Sequence, residues 1–328
     1  MPRLVLLVAL SLPLSGCYYL QAAAGQWELT RKREPIGEVL AREETSPELA
    51  ARLRLVAEAR QFAVDELGLP DNDTYRTYAD LERDYVMWSV FAAPEFSVEP
   101  RTWCFPVAGC VSYRGYFVKE SAEREAARLG RKGYDVAVSG VMAYSTLGKL
   151  KDPVLSTMMN WDDVRLVAVL FHELAHQVIY VKGDSGFNES FATAVEEFGV
   201  QRWLEARGMD AAFGDYQARR AVRGQLSALV AAARTDLEAL YALIIDDEEK
   251  RARKRARLTA LQADIAGSLE EAGREAGGWV TGELDNARLI PMVLYEGRLD
   301  EFRALLETCE QRIDCFYERA RELAGSEL

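Results

Sequence analysis

The sequence predicts an α+β fold, with a small sheet region followed by a mostly helical region. Two observations predict it. Runs of strand formers at 85–91 (YVMWSVF), 111–118 (VSYRGYFV) and 134–139 (YDVAVS) fall in the first half, with Pro94, Pro100 and Pro106 marking loops. From about residue 161 the apolar residues recur at helical spacing instead, over 162–181, 188–207 and 209–273. The 328 residues are 49% hydrophobic and 28% charged, which suits a packed core and excludes disordered and collagen-like classes. A formal charge of −12 argues against broad nucleic-acid binding, which needs a basic surface to neutralise phosphates.

Taken in order, residues 1–16 open with Arg3 and an apolar run from Leu4 to Leu14, the pattern of an export signal. Leu14-Ser15-Gly16-Cys17 resembles a bacterial lipobox. That resemblance implies that Cys17 is lipidated and becomes the first mature residue. Tyr18 rather than an aspartate follows Cys17, so the expected location is the outer membrane, facing the periplasm. Residues 18–45 read as one or two helices. Ser46-Pro47-Glu48 is a helix start, and Leu49, Leu53, Val56, Ala63 and Leu67 form a stripe that Gly68-Leu69-Pro70 stops. A helix at about 120–130 joins the second and third strands. Gly208 ends the 188–207 helix. The run Asp246 to Arg257 (DDEEKRARKRAR) holds acid-before-base pairs four apart, Asp246–Lys250, Asp247–Arg251 and Glu249–Arg253, and reads as a solvated helix face.

Four cysteines remain beyond Cys17. Cys104 and Cys110 are six apart, as are Cys309 and Cys315. Local pairing of each is the simplest of three connectivities, and an exported chain favours disulfides over a four-cysteine metal site.

The chain has two histidines, and both lie in His172-Glu173-Leu174-Ala175-His176. Imidazoles at i and i+4 share one helix face and can reach one tetrahedral zinc, with Glu173 placed as the base for a water. Two histidines placed at random would fall four apart in well under about 1% of chains this long. A catalytic zinc needs a third protein ligand. Twelve residues separate His176 from Glu189, in FNESFA, and nineteen separate it from Glu196. The two acids are about 10 Å apart along a helix, so only one can ligate.

HELAHQ followed by NESFATAVE is similar to the gluzincin metallopeptidases, above all the aminopeptidase-N-like branch, where HExxH precedes NEGFA. The resemblance implies a zincin-like helical region, one zinc per chain held by His172, His176 and Glu189, and Glu196 standing behind the ligands. The spacing itself fits Glu196 better. A wider resemblance, through YYLQAAAGQWEL, YRGYF, AYSTLG, DPVLSTM, FHELAHQ, FNESFA and NARLIPMVLY, is to a family of bacterial lipoproteins labelled as predicted aminopeptidases. It implies a peptide substrate and a lipid-anchored zinc peptidase of the cell envelope. An envelope endopeptidase and a non-catalytic zinc lipoprotein are the alternatives. An oxyanion donor must come from tyrosine or arginine, since no third histidine exists. Tyr295 and Arg288, supported by Asn286, are candidates in NARLIPMVLY; Tyr144 is one in AYSTLG; Tyr116 in YRGYF is a weaker one. The expected organisation is a leader at 1–16, helices and sheet at 17–160, the zinc helix pair at 161–207 and a helical region at 208–328. The sheet and 161–328 are expected to form one compact domain.

Overall fold

Residues 13–105, 109–274, 282–293 and 298–325 are described by a computed structural model. Helix α1 (Pro13–Arg31) leads into strand β1 (Arg33–Pro35) and a short α2 (Ile36–Leu40). Helix α3 (Pro47–Asp65) starts as its sequence indicates, with the Ser46 side chain accepting from the Leu49 N–H, and ends before Gly68, whose φ of 61° suits a residue without Cβ. Strands β2 (Thr77–Ala79), β3 (Met87–Pro94), β4 (Trp103–Phe105), β5 (Gly109–Val111) and β6 (Tyr113–Tyr116) precede α4 (Lys119–Gly130) and β7 (Tyr134–Val141). A two-residue β8 (Val154–Leu155) pairs parallel with β2, while β1 pairs antiparallel on its other side.

The main sheet has the order β6-β3-β7 and is antiparallel throughout. Its central strand is buried on both faces, and side-chain alternation explains how. Val90 and Ala92 pack with Tyr116 against Ala122 and Leu129 of α4. Phe91 and Ala93 point the other way, onto Ala287 and Ile290 of a later helix, Asn286–Val293. The β4–β5 hairpin places Cys104 opposite Cys110, and they form a disulfide.

Beyond the sheet come α5 (Asp163–Ala175), α6 (Ser185–Glu205), α7 (Asp210–Tyr241), α8 (Asp247–Glu271), α9 (Asn286–Val293), α10 (Leu299–Thr308) and α11 (Ile313–Gly325). The largest core joins α3, α5, α6, α10 and α11. Gly199 of α6 lets that helix approach closely, since a Cβ there would meet Leu67 and Phe171 at under 3 Å. On the outer side Phe191 stacks on Phe316 at 5.7 Å, and Phe187 meets Phe302 edge-on at 5.1 Å. The Cys309–Cys315 disulfide ties the end of α10 to α11.

Three sequence expectations change. The 162–181 helix stops at Ala175: past the His176 cap the Gln177 and Val178 N–H groups bond carbonyls three residues back, and further on Val181 bonds the Asn188 side chain. The 209–273 helix is a hairpin of α7 and α8. Asp246 caps α8 by accepting from the Glu249 N–H, and Val230, Ala233 and Leu237 pack on Leu258, Leu261 and Ile265. The charged run is more than a solvated face. Glu249 pairs with Arg253, but Arg251 reaches Glu95 at 2.6 Å, and the buried Lys254 Nζ sits 2.6 Å from Asp135 and donates to the Glu95 carbonyl at 2.8 Å. These contacts fasten the hairpin to the sheet.

Candidate metal centre

Helix α5 is capped by Asp162, which accepts from the Arg165 N–H, and is apolar on most of its surface. Leu166, Val167, Leu170, Phe171 and Leu174 are fully buried, so the helix is held on several sides. Its last turn carries His172 and Glu173, and His176 closes it as the C-cap. The two imidazoles stand at 4.8 Å, nearly perpendicular.

Helix α6 faces them. Its start is set by two side chains: Asp184 accepts from the Phe187 N–H, and buried Asn188 makes a two-way clamp on Val181, accepting from its N–H and donating to its carbonyl, both at 2.7 Å. That clamp fixes the turn between the helices and the residue that follows Asn188. Glu189 Oε2 lies 3.2 Å from His172 Nε2, and Glu189 Oε1 lies 3.7 Å from His176 Nε2. Two turns on, Glu196 Oε2 accepts from His172 Nδ1 at 3.0 Å. The two acids therefore take opposite sides of one imidazole ring.

This donor set fits a divalent cation. Nδ1 of His172 is committed to Glu196, so its Nε2 is left to face Glu189, and His176 Nε2 faces the same carboxylate. A cation among them would be held by both Nε2 atoms and the carboxylate, and ligands at about 2.1 Å in a tetrahedron are about 3.4 Å apart. Ligand atoms of His172, His176 and Glu189 all lie within 4.8 Å of one another. Carboxylate behind histidine is the usual support for a metal-ligating imidazole.

The electrostatics are uneven. Burial alone would lower the pKa of His172, but the hydrogen bonds with Glu189 and Glu196 outweigh it and raise the group to about 10. His176 is pushed down to about 4 by burial and by the charge of His172. Burial raises the pKa of Glu173, and the Glu189 and Asp152 carboxylates add to the rise, against His172 and the Ser145 hydroxyl. A carboxyl held up in this way suits proton transfer near neutral pH.

Behind Glu196 stands α7. The Tyr216 hydroxyl donates to Glu196 Oε1 at 2.7 Å, and Arg220 lies 3.8 Å from that carboxylate and 3.0 Å from Glu197. Behind Glu173 lies the 145–152 turn. Asp152 accepts from the Thr146 N–H and hydroxyl, both at 2.7 Å, and the Ser145 hydroxyl bears on Glu173 and on buried Tyr75. Tyr75 holds a φ of 61°, costly for a residue with a side chain, and its N–H donates to the Asp152 carbonyl at 2.7 Å. None of Tyr216, Arg220 or Tyr75 was singled out in the sequence, because each reaches the site from a distant segment; Asp152 opens the DPVLSTM motif, which gives no hint of this contact.

The remaining candidates divide. Asn286 is seated elsewhere. It is fully buried, donates to the Pro94 and Glu95 carbonyls, accepts from the Tyr241 hydroxyl at 2.8 Å, and so joins α9 to β3 and α7. Arg288, on the same helix as Asn286, donates to the Glu283 carbonyl just ahead of that helix at 3.1 Å. Tyr295 lies outside the described residues. Tyr144 packs edge-on against Phe117, and burial pushes its pKa up to about 12, with Asp152 adding to the rise. Tyr116 is on the α4 face of the sheet, buried against Tyr18. Its strand neighbour Tyr113 points to the opposite face beside Phe91 and is 38% exposed, and its pKa is raised by partial burial first, with the Glu189 and Glu173 carboxylates adding to the rise. Strand alternation could have singled out Tyr113, since it lies an odd number of residues from Tyr116.

No curated protein and no solved structure matches the chain. A family model described as "Putative aminopeptidase" matches residues 17–327, and the chain belongs to that family.

Proposed function

We propose that this protein is a zinc-dependent aminopeptidase of the bacterial cell envelope, anchored by lipid at Cys17 to the outer membrane and facing the periplasm. The observation that carries the catalytic reading is the convergence of His172 Nε2, His176 Nε2 and the Glu189 carboxylate, with Glu173 beside them. Family membership supports a peptidase. The lipobox Leu14–Cys17 and the two disulfides support an oxidising, extracytoplasmic setting.

His172, His176 and Glu189 would hold the zinc, with Glu196 orienting His172 from behind, and the metal would supply a Lewis acid for a water and for the scissile carbonyl. Glu173 takes the proton of the attacking water and delivers it to the leaving amine nitrogen.

Metal analysis and hydrolysis together test this. Zinc-replete protein should carry about one zinc per chain. Glu173→Gln should keep the zinc and lose hydrolysis of peptides with a free amino end. A parent protein without zinc, or a Glu173→Gln protein as active as the parent, defeats the reading. Cleavage of N-blocked peptides in preference to free ones makes it an endopeptidase. Failure on both kinds of peptide leaves a metal-binding lipoprotein. An intact mass of the parent protein without acyl chains on Cys17 defeats the anchor.

A further inference from the structure

We propose that the exposed face of α1 lies on a phospholipid surface as an interfacial helix; this rests on the lipid-anchor reading of Cys17 above. Residues 18–27 (YYLQAAAGQW) contain no charged side chain. One side of α1 is occupied by the protein. Tyr18 stacks on Phe105 at 5.4 Å, Gln21 donates to the Gly115 carbonyl and accepts from the Phe117 N–H, the backbone at Gly25 meets the Phe117 ring, and Leu29 is buried.

The other side is apolar and open. Tyr19 is 47% exposed, Leu20 71% and Trp27 62%, with exposed Ala23 and Ala24 between them. Positions 20, 24, 27 and 31 step by three or four, so they line one face. Isolated apolar residues on a surface need no partner, but a stripe of three turns does. Its chemistry matches a lipid interface. Tyrosine and tryptophan rings favour head-group depth. The Arg31 guanidinium lies 4.8 Å over the Trp27 ring and puts a cation at the end of the stripe, where lipid phosphates would be. Glu28, the first acid after Cys17, is ion-paired with Arg83 at 2.9 Å. The apolar run Leu4–Leu14 and Cys17 immediately precede this stretch, which places it where an anchored chain meets the bilayer. No described helix is long and apolar enough to cross a membrane, so α1 is assigned a position along the surface. Such a contact would fix which side of the protein faces the membrane, which acyl chains alone do not.

Full-length protein, produced with its leader in a bacterial host, provides the test in phosphatidylethanolamine–phosphatidylglycerol vesicles with and without brominated acyl chains. Intact mass reads the anchor. Acyl chains on Cys17 are expected, and an unacylated mass overturns the anchor and this proposal together. In the acylated protein, brominated chains should quench tryptophan emission, and Trp27→Phe, made in a Trp279→Phe background that then serves as parent, should lose most of that quenching, because Trp103, Trp161 and Trp203 are buried in the core and Trp88 is packed on the α4 side of the sheet. Equal quenching of the acylated parent and acylated Trp27→Phe overturns the interfacial helix and leaves the anchor standing. A blue shift of Trp27 that depends on protein concentration without vesicles assigns the face to a second copy and also overturns it.

Discussion

His172 sits between two carboxylates, and its proton decides how the site meets a metal. Raised to about 10, it is protonated in the metal-free protein at pH 7, whereas a metal ligand must be deprotonated. Zinc binding at pH 7 should therefore release about one proton, measurable by calorimetry in buffers of different ionisation enthalpy; no buffer dependence would contradict it. The same shift sets a stability trend in the metal-free protein. A raised folded-state pKa gives stability that is complete below the unfolded value of 6.5 and is lost as pH rises toward about 10. His176, lowered to about 4, acts oppositely, costing stability as pH falls from 6.5 toward that value. Denaturant melts of metal-free protein across this range should find their best stability near pH 6 to 7 so far as these two groups decide it.

The ligand and its supports separate by how far each stands from the metal. Glu189→Gln should weaken zinc affinity most. Glu196→Gln should cost about 10–100-fold, as the loss of a carboxylate behind a ligating imidazole does. Tyr216→Phe removes one hydrogen bond to that carboxylate, about 1 kcal/mol, and should cost only about fivefold. Competition with a zinc chelator reads all three. A larger effect from Glu196→Gln than from Glu189→Gln would transfer the ligand role to Glu196.

At the scale of elements, the turn between α5 and α6 is the sensitive joint. Asn188→Ala leaves the N–H and carbonyl of Val181 without their side-chain partner in a buried place, which should cost about 2–3 kcal/mol and loosen Glu189. Asn188→Asp keeps the acceptor for the Val181 N–H but loses the donor, so it should fall between the parent and Asn188→Ala in both melting temperature and zinc affinity. If Asn188→Ala melts like the parent, the clamp does not hold the turn. Gly199 is the other sensitive position, because a methyl group there meets Leu67 and Phe171 where α6 crosses α3 and α5. Gly199→Ala should destabilise the protein even though alanine is the better helix former.

Across the whole molecule, the α7–α8 hairpin is joined to the sheet through Lys254, Asp135 and Glu95. The Asn286 N–H also donates to Asp135, at 3.0 Å, so one carboxylate gathers α8, α9 and β7. Asp135→Ala strands a buried ammonium and should destabilise by up to about 3 kcal/mol. Lys254→Met removes the charge but keeps the chain's bulk, and should cost less, since Asp135 retains the Asn286 N–H. Urea unfolding of the two variants checks the order, and equal losses would show that the pair acts only through its packing.

What the sequence determined by itself was whatever depends on near neighbours. The Ser46 cap, the stop at Gly68, the strand formers of 85–91 and the i,i+4 spacing of His172 and His176 are all read within a turn or a strand, because local backbone geometry decides them. Local disulfide pairing was legible for the same reason: six residues leave each pair little choice. The tertiary structure decided the rest. Which side of His172 each of Glu189 and Glu196 occupies depends on how α6 is laid against α5, and that crossing is set by Gly199 and the Asn188 clamp. Asn286, expected beside the site, instead bonds β3 and α7, and Tyr216 arrives on Glu196 from a helix whose own pattern says nothing of metal. Such contacts join residues tens to hundreds of positions apart. No local period encodes them, because they exist only once burial has brought the faces together.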